Sequence, residues 1–342
     1  MKRLIPLLLV LSLCFSGCKV ITPQPELKQF NATFLDLFDT LTTIVGRAES
    51  SEVFQSQAQQ IHDDLLIYHR LFDIYHEYEG MVNLKTLNDT AALAPVTVDP
   101  KILALLQDCK ALYQSTGGKV NVAMGTVLSL WHEARTDGVN DPVHAYLPRS
   151  AELEDAALHC DLENVILNEE DCTVYFADPL LKLDVGAIAK GWSVQRVAEN
   201  VPSGLLLSVG GNVCATGPKD AQGTPWVIGI EDPQGGESYV HTLYLSKGCV
   251  VTSGDYQRAY VVDGQLYHHI IDPETLQPST YWRSVSVVCE DSGIADALST
   301  ALFLLPLEDG QALLTQYEAE ALWINAQGEK SYSPGFQALI RT

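Results

Sequence analysis

The chain has 342 residues, 46% hydrophobic and 19% charged, which is enough apolar material for a large folded core and too much for a disordered chain. With 43 acidic residues against 21 basic ones, its formal net charge of −22 excludes a general affinity for nucleic acid or for anionic lipid surfaces. A negatively charged substrate must therefore be held by a few placed cations or by a metal.

The N-terminus reads as a targeting segment. Lys2 and Arg3 precede an apolar run, Leu4–Leu13, that is too short to span a bilayer. Phe15-Ser16-Gly17-Cys18 then resembles a bacterial lipoprotein signal, with phenylalanine where leucine is usual. An ordinary secretory peptide is the competing reading. The expected organisation is a signal peptide over 1–17, a lipidated Cys18, an anchored tether over 18–33 with Pro23 and Pro25, and one domain over 34–342. That places the protein on the extracytoplasmic (periplasmic or cell-surface) face of the cell membrane.

A first strand is expected around Asp39–Val45. Val53–Phe72 is a helix, because Ile61, Leu65, Tyr68 and Phe72 recur at spacings of four, three and four. Tyr75–Asp89 is polar and reads as a loop. Asp99 caps a helix with Pro100 at its first position, and Gly117-Gly118 ends it. Gly138, Pro142 and Pro148 mark 136–150 as a loop, followed by a short helix over Ala151–His159. Asn164–Leu167 and Thr173–Phe176 form a strand pair. Strands follow at Leu205–Val209, Val227–Glu231, His241–Leu245 and Ser284–Cys289, with a hairpin at Ala259–Ile271 turned by Asp263-Gly264. Helices at Ile294–Leu305 and Leu307–Tyr317 precede two closing strands, Ala321–Asn325 and Lys330–Ser333. Periodicity thus gives a mixed α and β chain with no repeat and no clean linker. None of the cysteines forms a CxxC pair, so a zinc or redox motif is not expected, and a Cys160–Cys172 disulfide is conceivable across the hairpin.

Four stretches carry chemistry. In Leu183–Gly191 an acid, Asp184, precedes a strand-to-helix turn holding Gly186, Ala187 and Lys190; such a turn attracts phosphate. Thr252-Ser253-Gly254 reads as a hydroxyl-bearing turn. His268-His269-Ile270-Ile271-Asp272-Pro273 places two histidines at a strand end before an acid. Asp296 and Thr300, four apart, share one helical face; with a backbone carbonyl they make the hard-oxygen set that suits magnesium. Taken singly each has an ordinary account: a cap, a back-bonded hydroxyl, a core histidine, a solvated lysine.

Read in order, LDVGAIAKG, LLSVGGN, VTSGDYQRAYVVDGQLYHHIIDP and ADALSTALF resemble the ApbE family of FAD:protein FMN transferases, supported by FDT at Phe38–Thr40, LFDIY at Leu71–Tyr75 and TGGKVNVAMGTVLSLW at Thr116–Trp131. The resemblance implies an α+β fold of mixed sheets and packed helices, ApbE-like or T-fold-like, in two intimately joined lobes with the active site in the cleft between them. It implies FAD as substrate and Mg2+ at the pyrophosphate, with FMN moved to a Thr or Ser hydroxyl of a flavoprotein acceptor and AMP released. Such acceptors are usually subunits of membrane electron-transfer complexes. It implies Asp296, Thr300 and the Ala187 carbonyl as metal ligands. Cofactor contacts fall on Phe38, Tyr75, Lys119, Val120, Asn121, Asp184, Lys190, Thr252, Ser253, His269 and Ile270. Asn121 stands where aspartate is frequent and Phe38 where methionine is. His269 lies beside the reacting phosphate, and His269 or Asp272 takes the acceptor's proton. Two other readings stay open: a magnesium-dependent FAD pyrophosphatase giving FMN and AMP, and a non-enzymatic FAD-binding lipoprotein.

Overall fold

The computed structural model describes residues 27–236 and 238–341. The signal peptide, Cys18 and most of the tether lie outside the described residues. The chain enters the fold earlier than its sequence indicates: β1 (Lys28–Leu37) pairs with β2 (Thr40–Ala48) from Lys28↔Ala48 to Leu37↔Thr40. Residues 28–33, expected in the tether, therefore belong to the sheet. Phe30, Ala32 and Phe34 alternate there with exposed Asn31 and Thr33, but a register shift between Phe34 and Leu37 breaks the period. Phe38 and Asp39 form the two-residue turn, both at positive φ (+52° and +51°), as a tight hairpin of this hand requires.

Helix α1 (Ser51–Phe72) is capped by Ser50 and buries Phe54, Ala58, Ile61, Leu65 and Phe72. The supposed loop over 75–89 contains α2 (Leu84–Thr90), started by a capping box in which the Asn83 side chain accepts from the Thr86 N–H. The short β3 (Val96–Thr97) leads into α3 (Pro100–Ser115), capped by Asp99 with Pro100 at its first position as expected. Next comes α4 (Gly125–Asn140), which runs five residues into the expected loop. Gly138 is not a breaker there: a Cβ on it would stand 2.6 Å from the Tyr260 ring, so glycine permits a close contact. Helix α5 (Ser150–Ala157) and the pair β4 (Val165–Asn168) and β5 (Thr173–Phe176) follow, with β3 completing a three-stranded sheet.

The strand expected before Gly186 shrinks to a single parallel bridge, Met124↔Lys182, and the chain then enters α6 (Ala189–Ala198). Strands β6 (Leu206–Val209) and β7 (Asn212–Ala215) form a hairpin turned by Gly210 and Gly211, again at positive φ. The pair β8 (Trp226–Glu231) and β9 (Tyr239–Leu245) forms its own two-stranded sheet. Strand β10 (Gly248–Gly254) overturns the expected Thr-Ser-Gly turn: Thr252 and Ser253 sit within it, opposite Ser286 and Val285. The β-branched run Val250-Val251-Thr252 favours extension, and the glycine that suggested a turn only ends the strand. The hairpin of β11 (Ala259–Val262) and β12 (Gln265–His268) stops at His268, before His269. Strand β13 (Ser284–Cys289), α7 (Ser292–Phe303), α8 (Leu307–Leu314), β14 (Ala319–Ile324) and β15 (Lys330–Tyr332) complete the fold.

The architecture is α+β. Its centre is an eight-stranded antiparallel sheet in the order β1-β2-β6-β7-β10-β13-β14-β15. One large core joins α3, α7, β13 and β14, and a second joins α1 to β1, β2 and β6. The β8–β9 hairpin packs a third core containing Val250, Leu322 and Phe336. A fourth, smaller cluster holds α4, α5 and the β11–β12 hairpin together through Trp131, Leu153 and Tyr260. The cleft lies between this smaller unit and the sheet-and-helix body. The conceivable Cys160–Cys172 bridge does not form; each thiol instead donates to a backbone carbonyl, Ala156 and Val98 respectively.

Helices α6 and α7 touch where Gly191 faces α7. A Cβ there would stand 2.2 Å from the Ser292 carbonyl oxygen and 2.5 Å from the Asp296 Cβ. Gly191→Ala is expected to destabilise the fold by about 1–3 kcal/mol through overpacking, read as a lower midpoint in denaturant. An unchanged midpoint would mean the contact relaxes freely.

Candidate active-site cleft

The cleft encloses about 950 Å³, within the range of small-molecule sites. Six segments form much of its wall. Helix α4 contributes Leu128, His132, Arg135 and Val139, a face at spacings of four, three and four. The β1–β2 turn contributes Phe38, Asp39 and Thr40. The start of α6 and the middle of α7 contribute Ala187, Lys190, Asp296 and Thr300. The end of β10 and the chain after β12 contribute Thr252, Ser253, His269 and Ile270.

Asp291 caps α7 through the Gly293 and Ile294 N–H groups, so Asp296 has no capping task. It is buried, accepts a hydrogen bond from the Gly191 N–H at 2.8 Å and lies 3.7 Å from Lys190 Nζ. Thr300 follows one helical turn later on the cleft side. Ser253 Oγ meets Ser299 Oγ at 2.8 Å, and Ser299 in turn donates to the Asp296 carbonyl, which ties β10 to this turn of α7. Thr252 Oγ1 is paired with Ser286 Oγ at 2.8 Å.

The two histidines separate by their bonding. His268 is committed at both nitrogens: Nε2 donates to the Ser279 carbonyl at 2.7 Å and Nδ1 accepts from the Ile270 N–H. His269 Nδ1 is buried with no hydrogen-bond partner among the described residues, and Nε2 is left as the nitrogen open to the cleft. Burial, with Arg258, His268, Arg135 and Lys190 nearby, pushes its pKa down to about 3, so the ring is neutral near pH 7. Asp272 does not line the cleft. It accepts from the Glu274 N–H and from Lys119 Nζ at 3.2 Å, and Lys119 also reaches Glu274 at 3.0 Å. Burial works against the Lys119 charge, but these partners outweigh it and raise its pKa. Asp272 thus positions Lys119, and of the two expected bases only His269 faces the cavity.

The remaining expected contacts are lining residues with distinct local duties. The Phe38 N–H donates to His69 Nδ1 at 3.0 Å, which fixes the turn that presents its ring. Tyr75 packs against His132 with ring centroids 5.3 Å apart. Val120 and Asn121 form a loop in which Asn121 Nδ2 donates to the Cys160 carbonyl. Asp184 accepts from the Gly186 N–H at 2.9 Å, and burial raises its pKa. Sequence reasoning missed Arg135, Arg258, His132 and His69. The sequence reading assigns no helix over 125–135, so the α4 face that carries His132 and Arg135 does not emerge from it; Arg258 stands inside a quoted motif with no partner to give it meaning.

Among the described residues no three His, Cys, Asp or Glu side chains gather into a metal cage. The Asp296 carboxylate and the Thr300 hydroxyl, with Ala187 on the approach to α6, line the same cleft and offer a sparse hard-oxygen set. That donor chemistry fits magnesium, which keeps water and phosphate oxygens in its shell.

The ApbE family model matches residues 38–323. The FAD:protein FMN transferase of Treponema pallidum (strain Nichols) is 35% identical over 277 residues, covering 75% of each chain. That of Klebsiella pneumoniae (strain 342) is 31% identical over 270 residues, covering 75% of this chain and 81% of the relative. The crystal structure of the ApbE protein of Thermotoga maritima superposes with a TM-score of 0.80 at 29% identity, over 92% of this chain and all of that one.

A buried neutral histidine leaves a signature in acid. Between about pH 3 and pH 6.5 the unfolded chain binds a proton at residue 269 that the folded chain does not, so stability rises with pH across that window. His269→Asn is expected to flatten this slope by at most about 1.4 kcal/mol per pH unit, measured by denaturation at successive pH values. An unchanged slope would show that His269 titrates normally in the fold.

Proposed function

Because the chain belongs to the ApbE family, we propose that it is an FAD:protein FMN transferase that works with magnesium on a Thr or Ser hydroxyl of a flavoprotein. The observation that carries this is the convergence, in one cleft, of Asp296 and Thr300 on α7, Lys190 on α6 and an uncommitted neutral His269.

Asp296, Thr300 and the Ala187 carbonyl would hold the ion, which when bound supplies charge neutralisation at the diphosphate. Phosphoryl transfer is mostly positioning and electrostatics. Lys190, Arg135 and Arg258 face the same space and add positive charge where the protein as a whole is strongly negative. The acceptor hydroxyl oxygen forms a bond to the FMN-side phosphorus, the bridging P–O bond breaks, and AMP leaves with that oxygen. His269 takes the hydroxyl proton at Nε2. Burial is the largest cause of its low pKa, and Arg258, Arg135 and Lys190 add to it; a diphosphate among those cations would offset their part and favour proton uptake at this ring.

Incubation with FAD, magnesium and a flavoprotein acceptor is expected to add the mass of FMN to one acceptor hydroxyl and release AMP. Asp296→Ala is expected to slow this by about 100-fold or more, the scale of losing one transition-state electrostatic partner. Free FMN with no acceptor adduct would establish a pyrophosphatase, and no turnover of FAD a storage protein.

The reading also places the protein at the extracytoplasmic membrane face through a lipid on Cys18, beside membrane-bound electron-transfer acceptors. Its support is the sequence Phe15–Cys18 and the chain's entry into the fold at Lys28, which leaves a short tether; among the described residues no helix is long and apolar enough to cross a membrane. Cys18→Ala is expected to abolish labelling by a radioactive fatty acid and release the protein from the membrane fraction. Retained labelling would refute the anchor.

A further inference from the structure

The β6–β7 hairpin presents a residue that the transfer chemistry leaves unused. Asn212 follows the Gly210-Gly211 turn, lines the cleft and is only 2% exposed, yet its Nδ2 has no hydrogen-bond partner among the described residues. An unpaired buried donor costs stability, and on a residue that lines a cavity an occupant that accepts from it would offset that cost. The surrounding turns are tightly keyed. A Cβ on Gly210 would stand 2.6 Å from Thr40 Oγ1, and the Gly210 N–H donates to the Leu41 carbonyl at 3.0 Å. This locks the Asn212 hairpin against the turn that carries Phe38. An aromatic ring and a neutral amide therefore belong to one rigid end of the central sheet.

FAD offers three chemistries to such a cleft. Its diphosphate is anionic and calls for the cations, which stand on α4, α6 and the segment after β10. Its adenine presents an exocyclic amine, a donor that suits a carboxylate such as Asp184. Its isoalloxazine ring is flat and carries an imide edge, two carbonyls flanking an N–H, which is the hydrogen-bond complement of a side-chain amide. We propose that Asn212 recognises the flavin ring, its Nδ2 donating to an imide carbonyl while the Phe38 turn borders the ring. This rests on FAD being the substrate, and it makes Asn212 a determinant of flavin specificity rather than of phosphate binding.

The test measures affinities of the full chain and of Asn212→Leu for riboflavin, FMN, FAD and AMP, beside the melting temperature without ligand. Leucine keeps the volume and removes the unpaired donor. The expected result is a melting temperature unchanged or raised, all three flavins weakened by about tenfold, and AMP unaffected. A structural role would lower the melting temperature and weaken AMP in parallel, which would overturn the proposal. Unchanged flavin affinity, or loss confined to AMP and FAD with riboflavin unaffected, would also overturn it. Asn212→Ser, too short to reach the ring, carries the same expectation if leucine does not fold. Failure of the wild-type chain to bind any flavin would instead sink the substrate reading itself.

Discussion

The contact between α6 and α7 at Gly191 sets the geometry of everything catalytic in this chain. Residue 191 has no side chain because the Ser292 carbonyl and the Asp296 Cβ occupy its place. Its N–H, free at the first turn of α6, is satisfied by the Asp296 carboxylate at 2.8 Å. One close approach thus orients the carboxylate, brings Lys190 to 3.7 Å from it and leaves Thr300 on the same face one turn on. The Ser253–Ser299 link adds a tie from β10 to that turn. The acid that a metal would use is already held by a backbone donor, so its position does not depend on the metal being there.

Electrostatics then explain how so acidic a protein can accept a doubly charged dinucleotide. Acidic residues outnumber basic ones 43 to 21 over the chain, whereas in the cleft Lys119, Arg135, Lys190 and Arg258 match Asp39, Asp73, Asp184 and Asp296 in number, and three of these cations border His269. Burial and these cations keep the histidine neutral, and burial pushes Asp184 toward its protonated form. Lys119 is different: Asp272 and Glu274 neutralise it, and it contributes shape more than charge.

Much of this was legible in the sequence where local chemistry agrees with the fold. The Asp99-Pro100 helix start, the β4–β5 pair and the Asp263-Gly264 hairpin carry their own signals, and the ordered motifs named the family. The failures share a cause. Gly138 and Gly254 were taken as punctuation, but one permits a helix to touch the Tyr260 ring and the other merely ends a strand. Edge strand β1 alternates only over Phe30–Phe34, and the register shift between Phe34 and Leu37 breaks the period. Asn83 starts α2 by a capping box that a polar stretch disguises. Within the site, Asp296, Thr300 and Lys190 followed from spacing and resemblance. The separation of His268 from His269, and the placing of Asp272 behind Lys119, depend on Ser279, Ile270 and Glu274. Those contacts are set by tertiary packing, and no period of the sequence encodes them.

The central claim is that Asp296 and Thr300 hold a divalent ion against the diphosphate. Crystals soaked with FAD and manganese test it directly through the anomalous signal of the metal. The expected peak lies within bonding distance of Asp296 and Thr300 and of oxygens from both phosphates. A peak elsewhere, or FAD seated in the cleft with those two side chains turned from its diphosphate, would contradict it.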